Sequence, residues 1–146
     1  MRAFIFASLG LIFLVAVAST SLSAETPLLL FGGRDHKVFL GCLNCGHFEA
    51  GSVCNSFGEH GSQFSGESIW NPFGDYGSQF NSYSPWNQFA SDPPVVVDHE
   101  GQFYGYFTAN RMHLKRTRIE FFLIFLNNVD EVNEDLERAR GLFCKE

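Results

Sequence analysis

Ser68-Ile69-Trp70-Asn71-Pro72-Phe73-Gly74-Asp75-Tyr76-Gly77-Ser78-Gln79-Phe80 decides the architecture, because the chain carries this stretch more than once. Sixteen residues upstream, Ser52-Val53-Cys54-Asn55-Ser56-Phe57-Gly58-Glu59-His60-Gly61-Ser62-Gln63-Phe64 shares its Ser, Asn, Phe, Gly, Gly, Ser, Gln and Phe in register. A partial third copy follows, Ser84-Pro85-Trp86-Asn87-Gln88-Phe89-Ala90. Self-similarity at a fixed period marks an array of stacked units. Asn-x-Phe-Gly is turn chemistry: Asn closes an Asx turn and Gly accepts positive φ. The unit holds too much Gly and Ser for a stable helix. The array over 52–90 is therefore expected to be short extended pieces joined by turns, packed through Phe57, Phe64, Phe73, Phe80 and Phe89.

Within the array Cys54 occupies the slot filled by Trp70 and Trp86. If that slot points inward, Cys54 is a buried half-cystine. Trp70, Tyr76, Tyr83 and Trp86 are the candidate ligand-stacking residues, for sugar rings or aromatic partners. The competing and preferred reading makes them the core of a repeat that lacks long aliphatics. Only Glu59 and Asp75 recur as carboxylates, too few for a calcium cage.

Outward from the array, two hairpins are expected. Leu28-Leu29-Leu30-Phe31 and Val38-Phe39-Leu40 bracket the loop Gly32-Gly33-Arg34-Asp35-His36. After Pro93-Pro94, Val95-Val96-Val97 and Phe103-Tyr104-Gly105-Tyr106-Phe107-Thr108 flank Asp98-His99-Glu100-Gly101, giving a hairpin over 93–110. Asp35, His36, Asp98, His99, Glu100 and His113 are acid/base candidates, although Asp-His in a loop is commonly turn chemistry. The basic cluster Arg111, Lys115, Arg116 and Arg118 is expected to balance the acidic tail Asp130, Glu131, Glu134, Asp135 and Glu137. Thr117-Arg118-Ile119-Glu120 has capping-box spacing. Ile119, Phe122, Leu126, Val129, Val132, Leu136, Ala139 and Phe143 then recur at helical spacing. One helix over 117–141 is predicted.

At the N-terminus, Arg2 is the only charge before Glu25. An apolar run from Ala3 to Ala18 leads into Ser19-Thr20-Ser21-Leu22-Ser23-Ala24. Positive start, apolar stretch and small residues form the export pattern. Residues 1–24 are read as a signal peptide cut after Ser23 or Ala24, with 25–146 as one mature extracytoplasmic domain, secreted or periplasmic. Without Arg2, nine basic residues face sixteen acidic ones. Such a chain repels nucleic acid and anionic membrane, so neither is an expected partner of the mature form.

The four cysteines, Cys42, Cys45, Cys54 and Cys144, read as two disulfides in an exported chain. The favoured pairing joins Cys42 or Cys45 to Cys144 and the remaining one to Cys54. Two other readings compete. Cys42-Leu43-Asn44-Cys45 has thiol-oxidoreductase spacing, but no βαβ pattern surrounds it. Cys42, Cys45, His47 and Cys54 could hold zinc, at irregular spacing.

Several motifs occur together: Phe31-Gly32-Gly33 before His36-Lys37; Leu40-Gly41-Cys42-Leu43-Asn44-Cys45; the tandem aromatic repeat; Pro93-Pro94-Val95-Val96-Val97-Asp98; Gly105-Tyr106-Phe107-Thr108-Ala109-Asn110; and Lys115-Arg116-Thr117-Arg118-Ile119. In order and spacing they resemble a family of small uncharacterised secreted bacterial proteins with tandem Asn-x-Phe/Tyr-Gly-x-Tyr-Gly-Ser repeats. The resemblance spans nearly the whole mature chain. It implies a bacterial, exported protein and brings no active site.

The expected fold is α+β: small antiparallel hairpins and a turn-rich 16-residue aromatic repeat array, closed by a C-terminal helix and disulfides. The expected function is a non-enzymatic structural or binding module without cofactor or metal, its partner a cell-envelope component or glycan. The alternative is a thiol-redox or acid/base enzyme using Cys42/Cys45 or the His/Asp groups.

Overall fold

A computed structural model describes residues 25–145. The signal peptide read at 1–24 lies outside them. Leu29–Gly32 (β1) and Val38–Cys42 (β2) form the first hairpin, Val95–Val97 (β3) and Phe103–Tyr106 (β4) the second. β1 also pairs with β3, giving one four-stranded antiparallel sheet in the order β2-β1-β3-β4. Leu30 lies opposite Gly41 and Phe31 opposite Phe39, so Leu40 is the extra residue of a bulge. The bulge needs Gly41: its φ is 117°, and a Cβ there would meet Val53 Cγ1 and His60 Cβ at 2.8 Å.

Between the hairpins the chain makes consecutive turns rather than the extended pieces expected. Asn55 N–H donates to Ser52 O, Gly58 to Asn55, Ser62 to Gly58, Ser65 to Ser62 and Ser68 to Ser65, and the series restarts at Ser68. Four three-residue steps and one four-residue step make up the sixteen-residue period. Side chains take the amides that the turns leave free. Ser52, Ser68 and Ser84 Oγ accept from Cys54, Trp70 and Trp86 N–H. Asn55, Asn71 and Asn87 Oδ1 accept from Phe57, Phe73 and Phe89 N–H, while their Nδ2 donates to the carbonyls of Glu49, Ser65 and Asn81. These local bonds compete successfully with strand pairing.

The interior of the stack holds three columns: Ser52/Ser68/Ser84, Val53/Ile69/Pro85 and Cys54/Trp70/Trp86, all buried. A turn, unlike a strand, can point adjacent residues inward. Each Trp ties its coil to the one before: Trp70 Nε1 donates to Val53 O at 2.8 Å and Trp86 Nε1 to Ile69 O at 2.6 Å. Ala109 N–H closes the series on Pro85 O at 2.7 Å. The Trp rings stack with centroids 5.4 Å apart. Phe107 and Phe143 abut Trp86 and Trp70 edge-on, joining sheet, coils and helices into one core.

The predicted single helix is three: Glu120–Asn127 (α1), Val129–Glu134 (α2) and Leu136–Phe143 (α3). Asn128 leaves helical geometry with ψ 38°, and Asp135 is extended, its side chain accepting from Arg138 N–H as the cap of α3. The expected capping box does not form: Thr117 Oγ1 accepts from Ile119 N–H, and Ile119 caps α1 without a side-chain bond. Nor does the basic cluster pair with the acidic tail among the described residues. Arg111 and Arg116 instead donate to Asn127, the former to its carbonyl, at the C-terminal end of α1. Glu134 and Glu137 pair within the tail, with Arg138 and Arg140.

Two disulfides form, Cys42–Cys45 and Cys54–Cys144. The pairing differs from the one favoured on sequence. A turn after β2 returns Cys45 to within 5.5 Å of Cys42, Cα to Cα. The first coil's Trp slot faces the end of α3, so Cys54 meets Cys144 at 5.6 Å. The Cys54 staple spans 90 residues and contributes roughly 4–5 kcal/mol by restricting the unfolded chain.

Candidate functional site: a double row of phenylalanines

The array's phenylalanines are where the structure departs most from the sequence reading. Phe57, Phe64, Phe73, Phe80 and Phe89 were expected inside; together with Phe48 they are 85–98% exposed. The turn geometry explains it. Asn Oδ1 holds the N–H two residues on, which aims Phe57, Phe73 and Phe89 outward. Ser62 and Ser78 Oγ hold Phe64 and Phe80 N–H in the same way. The columns already filled by Trp, Ile and Val leave no inner room.

The six rings form two columns of period sixteen, Phe48/Phe64/Phe80 and Phe57/Phe73/Phe89. Phe48 and Phe57 wall one groove, with Cys54, Asn55 and Arg140 between them. Phe80 and Phe89 wall another, with Trp86, Asn87 and Asn133. Each of the six rings stands almost wholly clear of its neighbours. A core aromatic side chain buries ~150–250 Å², and these six leave nearly all of it in solvent.

Charge within the array segment has one sign. Residues 45–92 contain Glu49, Glu59, Glu67, Asp75 and Asp92 and no Lys or Arg. Burial, then the nearby Asp75 and Glu67 carboxylates, pushes the Tyr76 hydroxyl above its ordinary range. Polar groups in the groove floors are already engaged. Asn55 and Asn87 spend Oδ1 and Nδ2 on turns, Asn133 Nδ2 caps Trp86 O, and Arg140 reaches Cys54 O and Glu137.

The residues singled out on sequence are dispersed. Trp70 and Trp86 are fully buried, leaving no ring face for a ligand, whereas Tyr76 and Tyr83 are half-buried neighbours 6.3 Å apart. All four cysteines are oxidised, so the Cys42/Cys45/His47/Cys54 set offers no thiolate to zinc. Cys42-Leu43-Asn44-Cys45 sits in a turn after a strand, not at a helix start that would activate a thiol. His36 and His113 both pack on Tyr106, at 5.7 and 4.1 Å, and His36 Nε2 bonds Pro93 O. Burial, then His36, lowers the His113 pKa. His99 is exposed at the tip of the second hairpin. Among the described residues no hydroxyl or carboxylate bonds a histidine ring. Lys37 bonds the exposed Asp35 carboxylate, depressing its pKa. Asp98 is turn chemistry: Oδ1 accepts from Glu100 and Gln102 N–H, and Oδ2 from the Tyr104 hydroxyl.

Among the described residues one set of side chains could hold a metal ion: Glu59, His60 and Glu67 each offer a ligand atom within 4.8 Å of the others. Sequence reading missed this set and Phe48. The signal for Phe48 was available, since it lies one period before Phe64. Comparison with known protein families, characterised proteins and solved structures finds no match to the chain. No helix among the described residues is long and apolar enough to cross a membrane, and two disulfides are the chemistry of an oxidising compartment.

Proposed function

We propose that the mature chain is a secreted or periplasmic binding module of the resembled bacterial family, and that its working surface is the double row of phenylalanines. The observation that carries this reading is six rings, five in the array and Phe48 just before it, at 85–98% exposure. The occupant is the basic, apolar face of another polypeptide at the cell envelope. Acidic residues flank the rows, and Arg140, the basic side chain between Phe48 and Phe57, is already paired with Glu137, so long-range attraction favours a cationic partner. A glycan fits less well: Phe cannot hydrogen-bond hydroxyls, and the Asn groups on the groove floors are committed to turns. Exposed Phe rings are suited to be the buried centre of an interface, with carboxylates at its rim.

The test uses mature, oxidised protein and two amphipathic peptides of equal length, one Lys/Leu and one Glu/Leu, with a soluble envelope oligosaccharide alongside. The Lys/Leu peptide is expected to bind, more weakly as salt rises. Phe64→Ser/Phe73→Ser is expected to abolish binding with an unchanged unfolding midpoint. Equal binding of both peptides, binding only of the oligosaccharide, or binding indifferent to the Phe variant would contradict the reading. A self-associating chain that ignores both peptides would assign the rows to a second copy instead.

A further inference from the structure

Glu59, His60 and Glu67 all belong to the first coil, and their placement is unlike the rest of the array. One ligating atom of each lies within 4.8 Å of the others. His60 is only 6% exposed, its ring set edge-on to Phe39 at 4.8 Å. Its Nδ1 is buried with no hydrogen-bond partner. Neither Glu59 nor Glu67 has an ion-pair partner among the described residues. Glu59 is exposed and Glu67 half-buried, so the unusual member is His60, a buried imidazole with an unsatisfied nitrogen beside two carboxylates.

The donor set is specific to this coil. One period later the three positions are Asp75, Tyr76 and Tyr83, which offer no imidazole and one carboxylate. We infer that Glu59, His60 and Glu67 bind one divalent transition-metal ion of the zinc class, bracing the first coil against itself. An imidazole with two carboxylates suits such a borderline ion, whereas calcium needs six or more oxygens. The ion would neutralise the carboxylate pair and occupy one nitrogen of the buried ring. This site is distinct from the disulfide-bonded cysteines and does not depend on the Phe rows being a binding surface.

The experiment is calorimetric titration and thermal unfolding of the mature, disulfide-intact chain with Zn²⁺, and with Ca²⁺ as control. One Zn²⁺ per chain and a raised midpoint are expected, with no response to Ca²⁺ at the same concentration. His60→Tyr installs the ring that the second coil already accommodates as Tyr76, so the fold is expected to persist. It should weaken zinc binding by more than about tenfold, a loss that removing even an outer-shell partner can bring. Glu59→Gln/Glu67→Gln alters two outer side chains and should have the same effect if His60→Tyr fails to fold. Absence of heat and of a midpoint shift at a roughly hundredfold excess of Zn²⁺ would overturn the inference. So would binding that survives these substitutions, which would place the ion on other histidines.

Discussion

Asn71 shows how single side chains build this molecule. Its Oδ1 takes the Phe73 amide, its Nδ2 gives to Ser65 O, and its own amide donates to Ser68 O. Its carbonyl lies so close to Gly77 that a Cβ on Gly77 would overlap it, and Gly61 stands in the same relation to Asn55. These glycines mark the one four-residue step of each period. The corresponding slot of the third copy is Pro93, and there the chain leaves the array for β3. Gly77→Ala is therefore expected to destabilise the protein by about 2 kcal/mol or more, since overpacking against backbone has little room to relax. Urea unfolding of the purified variant measures it, and a change within about 0.5 kcal/mol would contradict the steric account. Asp98 supplies a pH prediction. Desolvation pushes its carboxyl up, but bonds from Gln102, Tyr104 and Glu100 outweigh it and hold the pKa below the ordinary value. Its contribution to stability is then complete above pH ~3.9 and fades as pH falls through the lowered folded value. Asp98→Asn should flatten the acid limb of the midpoint–pH curve below about pH 4, as thermal unfolding across pH would show.

At the scale of elements, the hairpins and the turn-rich array were legible, because alternation, Gly placement and a sixteen-residue period are local signals. The direction of the rings was not. Phe is ordinarily a core residue, and nothing in its spacing distinguishes a ring aimed inward from one aimed outward by an Asn or Ser two residues before it. The C-terminal helix was legible as apolar spacing, yet its breaks at Asn128 and Asp135 depend on side chains that cap rather than continue. The Trp/Cys slot was read by preference as core with ligand stacking as the alternative, and the partner of Cys54 was not legible, since connectivity depends on where α3 ends. The Cys54–Cys144 link should carry the larger disulfide contribution. Cys54→Ala/Cys144→Ala is expected to lower unfolding free energy by about 4 kcal/mol, beyond the loss from Cys42→Ala/Cys45→Ala. Parallel urea titrations compare the two, and equal losses would contradict the loop-length argument.

On the scale of the whole molecule, a small domain has placed its two Trp at the centre and six Phe outside. The inward columns, the sheet and α3 share one aromatic core, which lets the array's outer face be chosen for something other than stability. The candidate site was half legible: the period located it, and the aromatic slots first assigned to it, Trp70 and Trp86, proved to be its support. The most direct measurement is hydroxyl-radical footprinting of the mature, oxidised protein, read by peptide mass. Phe48, Phe57, Phe64, Phe73, Phe80 and Phe89 should be modified in the free protein, while Trp70 and Trp86, intrinsically more reactive, stay protected until it unfolds. Modified Trp70 and Trp86 beside protected array Phe would contradict the account.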